Sequence, residues 1–421
     1  MKSYNLLERK LAQTLDSFPQ LKQTAKTAYQ YLNYWYYGDR IELVLHPNVT
    51  ILTPSQWSKT TSTEELFFGY YDKSPWSPDM SQLVYHRYSK DSLEIVVYNR
   101  FQKTVETVAT TQTWSSQQGS MVQWLNNKTI IFNDLVAGDL VARIIDLEDK
   151  SEKIVPLPIQ TLHPNGKEAL SLNYKRLAKM RSEYGYSVNA NNFTSNLPYT
   201  EDGIWQIDLE TGETKLTITI ESLINNQPRP EMANCQHKVN HIMYSPQGSR
   251  YVFMHRWLGS GGKYSRLYVA DSEANLKLLL DDRMVSHYSW QDEERLLAWA
   301  RTEESGDHYY LINVITGEKQ LIGQNILDIY GDGHPSFSPD RRWILTDSYP
   351  DKARKQHLLL YEIATGKLTE IASFFAPLKY SAEIRCDLHP RWSPDGNWVS
   401  VDATYEGKKM SYLLDISSLV S

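Results

Sequence analysis

Only two cysteines, Cys235 and Cys386, occur in 421 residues. So small a supply excludes a fold that depends on disulfides and offers no thiolate set of zinc-binding spacing. The chain has no apolar run of the roughly 18 residues needed to cross a bilayer. Its opening stretch, residues 1–18, has no apolar core of the kind a secretion signal carries, so a cytoplasmic location is the expectation. Positive charge is not in excess either, since 44 Lys and Arg stand against 50 Asp and Glu, for a net charge of −6. The molecule therefore has no general attraction for nucleic acid or an anionic membrane, and an anionic ligand must be held by local basic residues. Also missing are a G-x-S-x-G nucleophile elbow, a phosphate loop, a G-x-G-x-x-G behind a strand and an H-E-x-x-H helix.

What the sequence does have is repetition. Residues 333–347 read GHPSFSPDRRWILTD, an apolar run, a Ser-Pro-Asp turn and a second apolar run. Pro presets the turn backbone and Asp bonds to it, so the stretch reads as two short antiparallel strands. Close copies are LHPRWSPDGNWVSVD at 388–402, HIMYSPQGSRYVFMH at 241–255 and KSPWSPDMSQLVYH at 73–86, with weaker ones at 122–132, 162–172 and 287–301. The residue before each turn gives seven anchors, Trp76, Trp124, Leu162, Tyr244, Trp290, Phe337 and Trp392. A period of about 45 residues with strand patterning throughout predicts a β-propeller with four strands per blade. The fold class is thus all-β, a seven-bladed β-propeller with a short N-terminal helical extension. The 12 Trp and 28 Tyr would then mostly fill the inter-blade core, leaving a few rings for stacking on carbohydrate at a mouth.

Residues 1–40 form the extension. Leu6, Leu7, Leu11 and Leu15 recur at helical spacing, and after Pro19 so do Leu21, Ala25, Ala28 and Leu32. Two helices are predicted, packed on the propeller or presented to a protein partner; Lys22 and Lys26 lie off the apolar stripe, where they would face a membrane surface. Residues 41–421 are the propeller. Its first strand, 41–53, is expected either to close the ring as the outer strand of the last blade or to open the first. The long interval between Leu162 and Tyr244 is read as one blade carrying an insertion, 175–202, rich in Tyr, Asn and Ser. Insertions of this length in compact domains are commonly functional, and this one is expected at the mouth described next.

Aligning the repeats places His241, His287, His334 and His389 three residues before their anchors in four successive blades, with Lys73 there in blade one. First strands line the central channel, so these positions predict a ring of imidazoles near one mouth. Asp332 and Asp387 stand two residues earlier in blades six and seven, with Arg385 just beyond. On the returning strands lie His86, His255, Asp347 and Asp402; the two carboxylates there either cap turns or orient histidine tautomers. Imidazoles with carboxylates suit a first-row divalent cation or proton transfer. The candidate metal ligands are His287, Asp332 and His334, with His389 as a fourth. His241 is the candidate base, and Lys73, Arg256 and Arg385 are the cations that would neutralise an anionic substrate. The competing reading is that each histidine is structural, bonded to the backbone of the next blade.

With these residues in view, WSPDG at 392–396 and SPD at 338–340 resemble the repeat of the TolB-like propellers over residues 65–420. The histidine arrangement resembles the seven-bladed polysaccharide lyases, above all oligogalacturonate lyase, whose architecture the ulvan lyases share. That resemblance implies His241 as base and a manganese-like ion held by His287 together with the Asp332–His334 pair. The family carries His where this chain has Asp332 and Gln where it has Ile329, and helices like those of residues 1–40 are no part of its pattern. The implied reaction is β-elimination on a uronate-containing glycan, with an anionic oligosaccharide as substrate. The alternatives are a non-catalytic glycan- or protein-binding propeller in a cell-surface polysaccharide pathway and a peptidase-associated propeller, the latter without any hydrolase domain in this chain.

Overall fold

The Ser-Pro-Asp turns show why the repeat folds as it does. In blade one the Ser77 hydroxyl donates to Asp79 Oδ1 at 2.7 Å, that carboxylate accepts the Ser81 N–H at 3.0 Å, and Ser77 Oγ accepts the Gln82 N–H at 3.0 Å. The same three bonds recur through Ser338, Asp340, Arg342 and Trp343 in blade six and through Ser393, Asp395, Asn397 and Trp398 in blade seven. Each turn thus satisfies its own backbone and fixes the register of the two strands it joins.

The computed structural model describes residues 19–37, 42–58, 64–89, 92–259 and 262–421. They form seven antiparallel sheets, the blades of one propeller. Blade one runs through Glu65–Phe67, Gln82–Ser89, Ser92–Asn99 and Thr104–Thr111, and blade four through Gln236–Tyr244, Arg250–Gly259, Gly262–Asp271 and Leu276–Leu280. All seven anchors lie on the innermost strand of their blade or, for Trp76, on a bridge to Leu83 beside it. Trp57, Trp76, Trp257, Trp290, Trp299, Trp343 and Trp392 are buried, so most tryptophans do fill the core.

The segment expected as one strand at 41–53 is split by a turn at His46–Asn48. Leu43–Leu45 adds a fifth, outer strand to blade six, pairing Leu43 with Phe374, and Thr50–Leu52 is the outer strand of blade seven, pairing Ile51 with Leu414. It closes the ring and does not open the first blade.

The first predicted helix lies outside the described residues. The second is Pro19–Tyr36, and Tyr34 meets Phe375 of blade six at 6.0 Å between ring centroids. The stripe expected to pack does not: Ala25 and Ala28 are exposed, and Leu32 is 67% exposed. An aromatic ring against the outer edge of a blade replaces the leucine seam. No described helix is long and apolar enough to cross a membrane.

Residues 173–202 leave blade three between Glu168–Leu172 and Gly203–Asp208. Asn173 caps the helix Tyr174–Met180 by accepting the Lys175 and Arg176 N–H groups, and donates to Asp202 at 2.7 Å. Arg176 meets the same Asp202 at 2.5 Å, which ties the two ends of the excursion together.

Candidate metal and proton-transfer site

His241, His287, His334 and His389 form one buried cluster. Ring centroids of His287 and His334 are 4.2 Å apart and those of His334 and His389 4.3 Å. His241 joins through Tyr70 at 5.0 Å and Tyr71 at 5.5 Å. His241 sits in a β-bulge between Asn240 and Met243 at φ 52°, and His389 has φ 45°. A left-handed backbone costs a non-glycine residue ~1 kcal/mol or more, and bulges of this kind turn a side chain out of the strand's alternation.

The nitrogens are arranged in a consistent way. His334 Nδ1–H donates to Asp347 Oδ1 at 2.8 Å, and the Asp347 carboxylate also accepts the backbone N–H of His334 and of His389. His389 Nδ1–H donates to the Gly69 carbonyl at 2.8 Å, and His287 Nδ1–H donates to Asp332 Oδ1 at 3.0 Å. An oxygen acceptor on Nδ1 leaves the lone pair on Nε2. Nε2 of His334 and of His389 is buried without a partner. Asp387, clasped by Arg385 Nε at 2.7 Å, completes a group of three whose ligand atoms all lie within 4.8 Å of one another. Two orphaned imidazole nitrogens beside a carboxylate fit a first-row divalent cation, and carboxylate or carbonyl partners behind the histidines are the usual support of such ligands.

Electrostatics follow from this packing. Burial pushes the His241 imidazole down to about 4, against the pull of Asp72. Burial likewise lowers His287, and lowers His389 further with His334 beside it. For His334 burial acts in the same sense, but Asp347 outweighs it and raises the pKa. Burial would raise Asp387, yet Arg385 outweighs it and holds the carboxyl low.

Part of the site comes from an excursion of blade one. Between Glu65–Phe67 and Trp76 the chain leaves the sheet and inserts Tyr70 and Tyr71 among the histidines. Tyr70 lies 5.0 Å from both His241 and His389, and Tyr71 lies 5.2 Å from His334. The Tyr71 hydroxyl donates to the Tyr288 carbonyl at 2.9 Å and accepts the Tyr288 N–H at 3.0 Å. Asp402 anchors the base of the excursion by accepting the Phe68 and Gly69 N–H groups and Arg391. Gly69 has φ 131°, and a Cβ there would meet the Gln118 carbonyl oxygen at 2.7 Å, so only glycine fits. Of the two second-strand carboxylates, Asp347 orients a histidine and Asp402 secures this loop.

The remaining sequence-derived residues fall as follows. Asp332 serves His287, with Ser286 donating to its other oxygen at 2.6 Å, while Asp387 is the carboxylate grouped with His334 and His389. Lys73 pairs with Asp72 at 2.5 Å, and Asp72 accepts His241 Nε2–H at 3.3 Å. Arg385 is engaged with Asp387. Arg256 is half-buried and donates to the Val285 carbonyl at 3.1 Å. His86 bonds the Phe68 carbonyl and Ser120, and His255 bonds His237, away from the cluster. The insertion reaches the site through Tyr184, 5.9 Å from Tyr70, and through the Glu183 carbonyl, which accepts the Gln117 N–H at 3.3 Å. Sequence reasoning missed Tyr70, Tyr71, Asp72 and Tyr349, the last with its ring 5.9 Å from His334 and 5.0 Å from the Arg385 guanidinium; the signal for the first three was their place immediately before Lys73 in the ring register.

The fold has relatives among solved structures. An oligogalacturonate lyase in complex with manganese superposes with a TM-score of 0.62 at 13% identity, covering 89% of this chain and 97% of its own. The oligogalacturonate lyase of Vibrio parahaemolyticus gives 0.59 at 10% identity, covering 90% and 99%. The β-propeller domain of the Trilobed protease from Pyrococcus furiosus gives 0.52 at 11%, covering 85% and 95%. The shared property is the fold. No family model matches the sequence, and no curated protein does.

Proposed function

We propose that this protein is a carbohydrate-active propeller of the lyase type, cleaving a uronate-containing glycan by β-elimination with the help of a divalent, manganese-like cation. The observation that carries this reading is the pair of unpartnered nitrogens, His334 Nε2 and His389 Nε2, beside the Asp387 carboxylate. Those three residues would hold the ion, with His287 adjoining them. When bound, the cation supplies positive charge to a substrate carboxylate, which acidifies the neighbouring C–H bond.

His241 is the base. Its Nε2–H is committed to Asp72, so the lone pair sits on Nδ1, a buried atom without a partner. A depressed pKa of about 4 keeps the ring neutral near pH 7 and ready to accept a proton, though as a weak base it needs an activated carbon acid. Nδ1 takes the proton from the carbon next to the carboxylate. The electron pair of that C–H bond becomes the new C=C bond as the adjacent C–O bond breaks, and the leaving oxygen takes up a proton. Tyr70 is the donor in this reading, because burial holds its phenol protonated and its ring lies against His241. Asp72 stabilises the imidazolium that forms, with Lys73 keeping Asp72 ionised. In the cytoplasm such an enzyme would act on imported oligosaccharides.

One observation favours the non-catalytic alternative. His241 is fully buried with Tyr70 and Tyr71 packed against it, while Trp35 is 83% exposed on the N-terminal helix beside exposed Tyr31, Leu32 and Tyr36, a face suited to a protein partner. Metal analysis of the purified protein and ultraviolet absorbance of unsaturated product from uronate oligosaccharides decide between the two. Stoichiometric metal with product supports the lyase; neither, across a panel of uronate glycans, leaves the binding propeller.

A further inference from the structure

Lys238 and Arg256 face each other in direct register on the first two strands of blade four. Lys238 is 3% exposed, and its Nζ has no partner; Arg256 leaves its Nε without one. Like charges opposite one another weaken a sheet, and an ammonium buried unpaired is costly. The charged groups that act on Lys238 are Arg256, Arg181, Lys263 and Glu183, and Glu183 is itself clasped by Arg181 at 2.5 Å. The balance is positive, with Arg256, Arg181 and Lys263 set against Glu183 alone among the groups that act on Lys238 most strongly. This spot adjoins the histidine cluster: Arg256 bonds the carbonyl of Val285, two residues before His287, and acts electrostatically on Tyr70, Tyr184 and His287. Further along the same strand, Asn240 Oδ1 and His241 Nδ1 are also buried without partners.

We propose that Lys238 and Arg256, with Arg181 of the blade-three insertion beside them, form an anion-binding subsite for a second carboxylate of the substrate, on the sugar next to the one that reacts. The assignment of that anion to a uronate rests on the lyase-type reading. A carboxylate suits the pair because its two oxygens can accept from the ammonium and from the guanidinium Nε–H together. The subsite makes a chain of at least two free uronates the minimal ligand and disfavours a methyl ester. Burial and the neighbouring cations hold the Lys238 amine well below its ordinary range, so an arriving anion restores its proton.

The test is calorimetric titration of the full-length protein with digalacturonate, with a chelator present to prevent turnover, and with its methyl ester as the uncharged control. The acid should bind at least tenfold more tightly than the ester, with uptake of a proton read from buffers of different ionisation heat. K238M should lose at least tenfold in affinity together with the proton uptake, K238R should retain most of the affinity, and R256M should weaken binding on its own. Without ligand, K238M should melt at or above the temperature of the wild type, because a buried polar amine without a partner has been removed; a lysine that merely supports the fold would lower it. Equal binding of acid and ester, or wild-type affinity in K238M, overturns the proposal, and so does Lys238-dependent binding of sulfate without binding of digalacturonate. Lys238-dependent binding of digalacturonate with no product on adding manganese upholds the subsite and removes the lyase reading instead.

Discussion

Asp347 holds His334 from two directions: one carboxylate oxygen accepts both the imidazole Nδ1–H and the backbone N–H of that residue, each at 2.8 Å, and the other reaches the N–H of His389 in the next blade. One side chain thus fixes the tautomer of one histidine and the backbone of two. Asp347→Ala should cost a few kcal/mol, because it leaves three buried N–H groups without their acceptor, at about 1–3 kcal/mol for each unsatisfied group. Asp347→Asn keeps the shape and should instead lower metal affinity by roughly 10–100-fold. Urea melts and manganese titrations of the two variants check this.

Ligand variants separate the two carboxylates. His334→Ala and His389→Ala should abolish stoichiometric metal, and Asp387→Asn should weaken it strongly, because these groups converge. Asp332→Asn should have the smaller effect, since Asp332 acts through His287. Elemental analysis after dialysis reads the result, and equal losses at Asp332 and Asp387 would contradict it.

Acid should destabilise the fold through its neutral histidines. His86 and His241 are each pushed to about 4 by burial, against an ordinary value of 6.5. A depressed folded pKa means that the native state binds fewer protons than the unfolded chain. The associated stability is complete above pH 6.5 and is lost as pH falls from 6.5 through 4, up to about 3 kcal/mol for each group. Melting temperature against pH should show this slope, and His86→Gln should make it shallower.

The tyrosine excursion should control access. Tyr71→Phe removes the hydroxyl that serves both backbone groups of Tyr288, for about 1 kcal/mol or somewhat more. Tyr70→Ala, which uncovers His241 and His389, should speed modification of the ring histidines by diethyl pyrocarbonate, followed by peptide mass spectrometry. Gly69→Ala should be worse for the fold than either hydroxyl loss, costing a few kcal/mol from the forced left-handed backbone and the clash with Gln118.

The blades were legible because a turn that closes its own hydrogen bonds writes itself into the sequence: Ser-Pro-Asp stands at 77–79, 338–340 and 393–395, and four looser copies keep the period. The histidine register was legible for the same reason: His241, His287, His334 and His389 share one offset from their anchors. What the histidines bond to was less so. Asp332 precedes His334 by two residues and reads as its partner, yet the loop before the short strand Ser336–Phe337 turns it toward His287 in the neighbouring blade. Tyr70 and Tyr71 lie in an excursion that has no counterpart in the repeat, and Lys238 lies on a strand whose alternation is broken by a bulge at His241. The stripe of Leu21, Ala25, Ala28 and Leu32 shows the opposite failure, a regular pattern whose described members, Ala25, Ala28 and Leu32, face solvent while Tyr34 meets Phe375.

The segment around the His46 turn is hydrogen-bonded to two blades at once, six through Leu43–Leu45 and seven through Thr50–Leu52. Its partners, Leu368–Phe375 and Met410–Asp415, lie in the last two blades, far along the chain from residues 43–52. This segment, its apolar edges unpaired, therefore cannot pair until blades six and seven have both formed. Blades one to five can assemble on their neighbours as they appear, but the circle is locked in a single late event of very high contact order, the kind that is slow and open to off-pathway association. Cutting the chain after residue 53 and rejoining that piece behind the C-terminus would turn this late encounter into a local one.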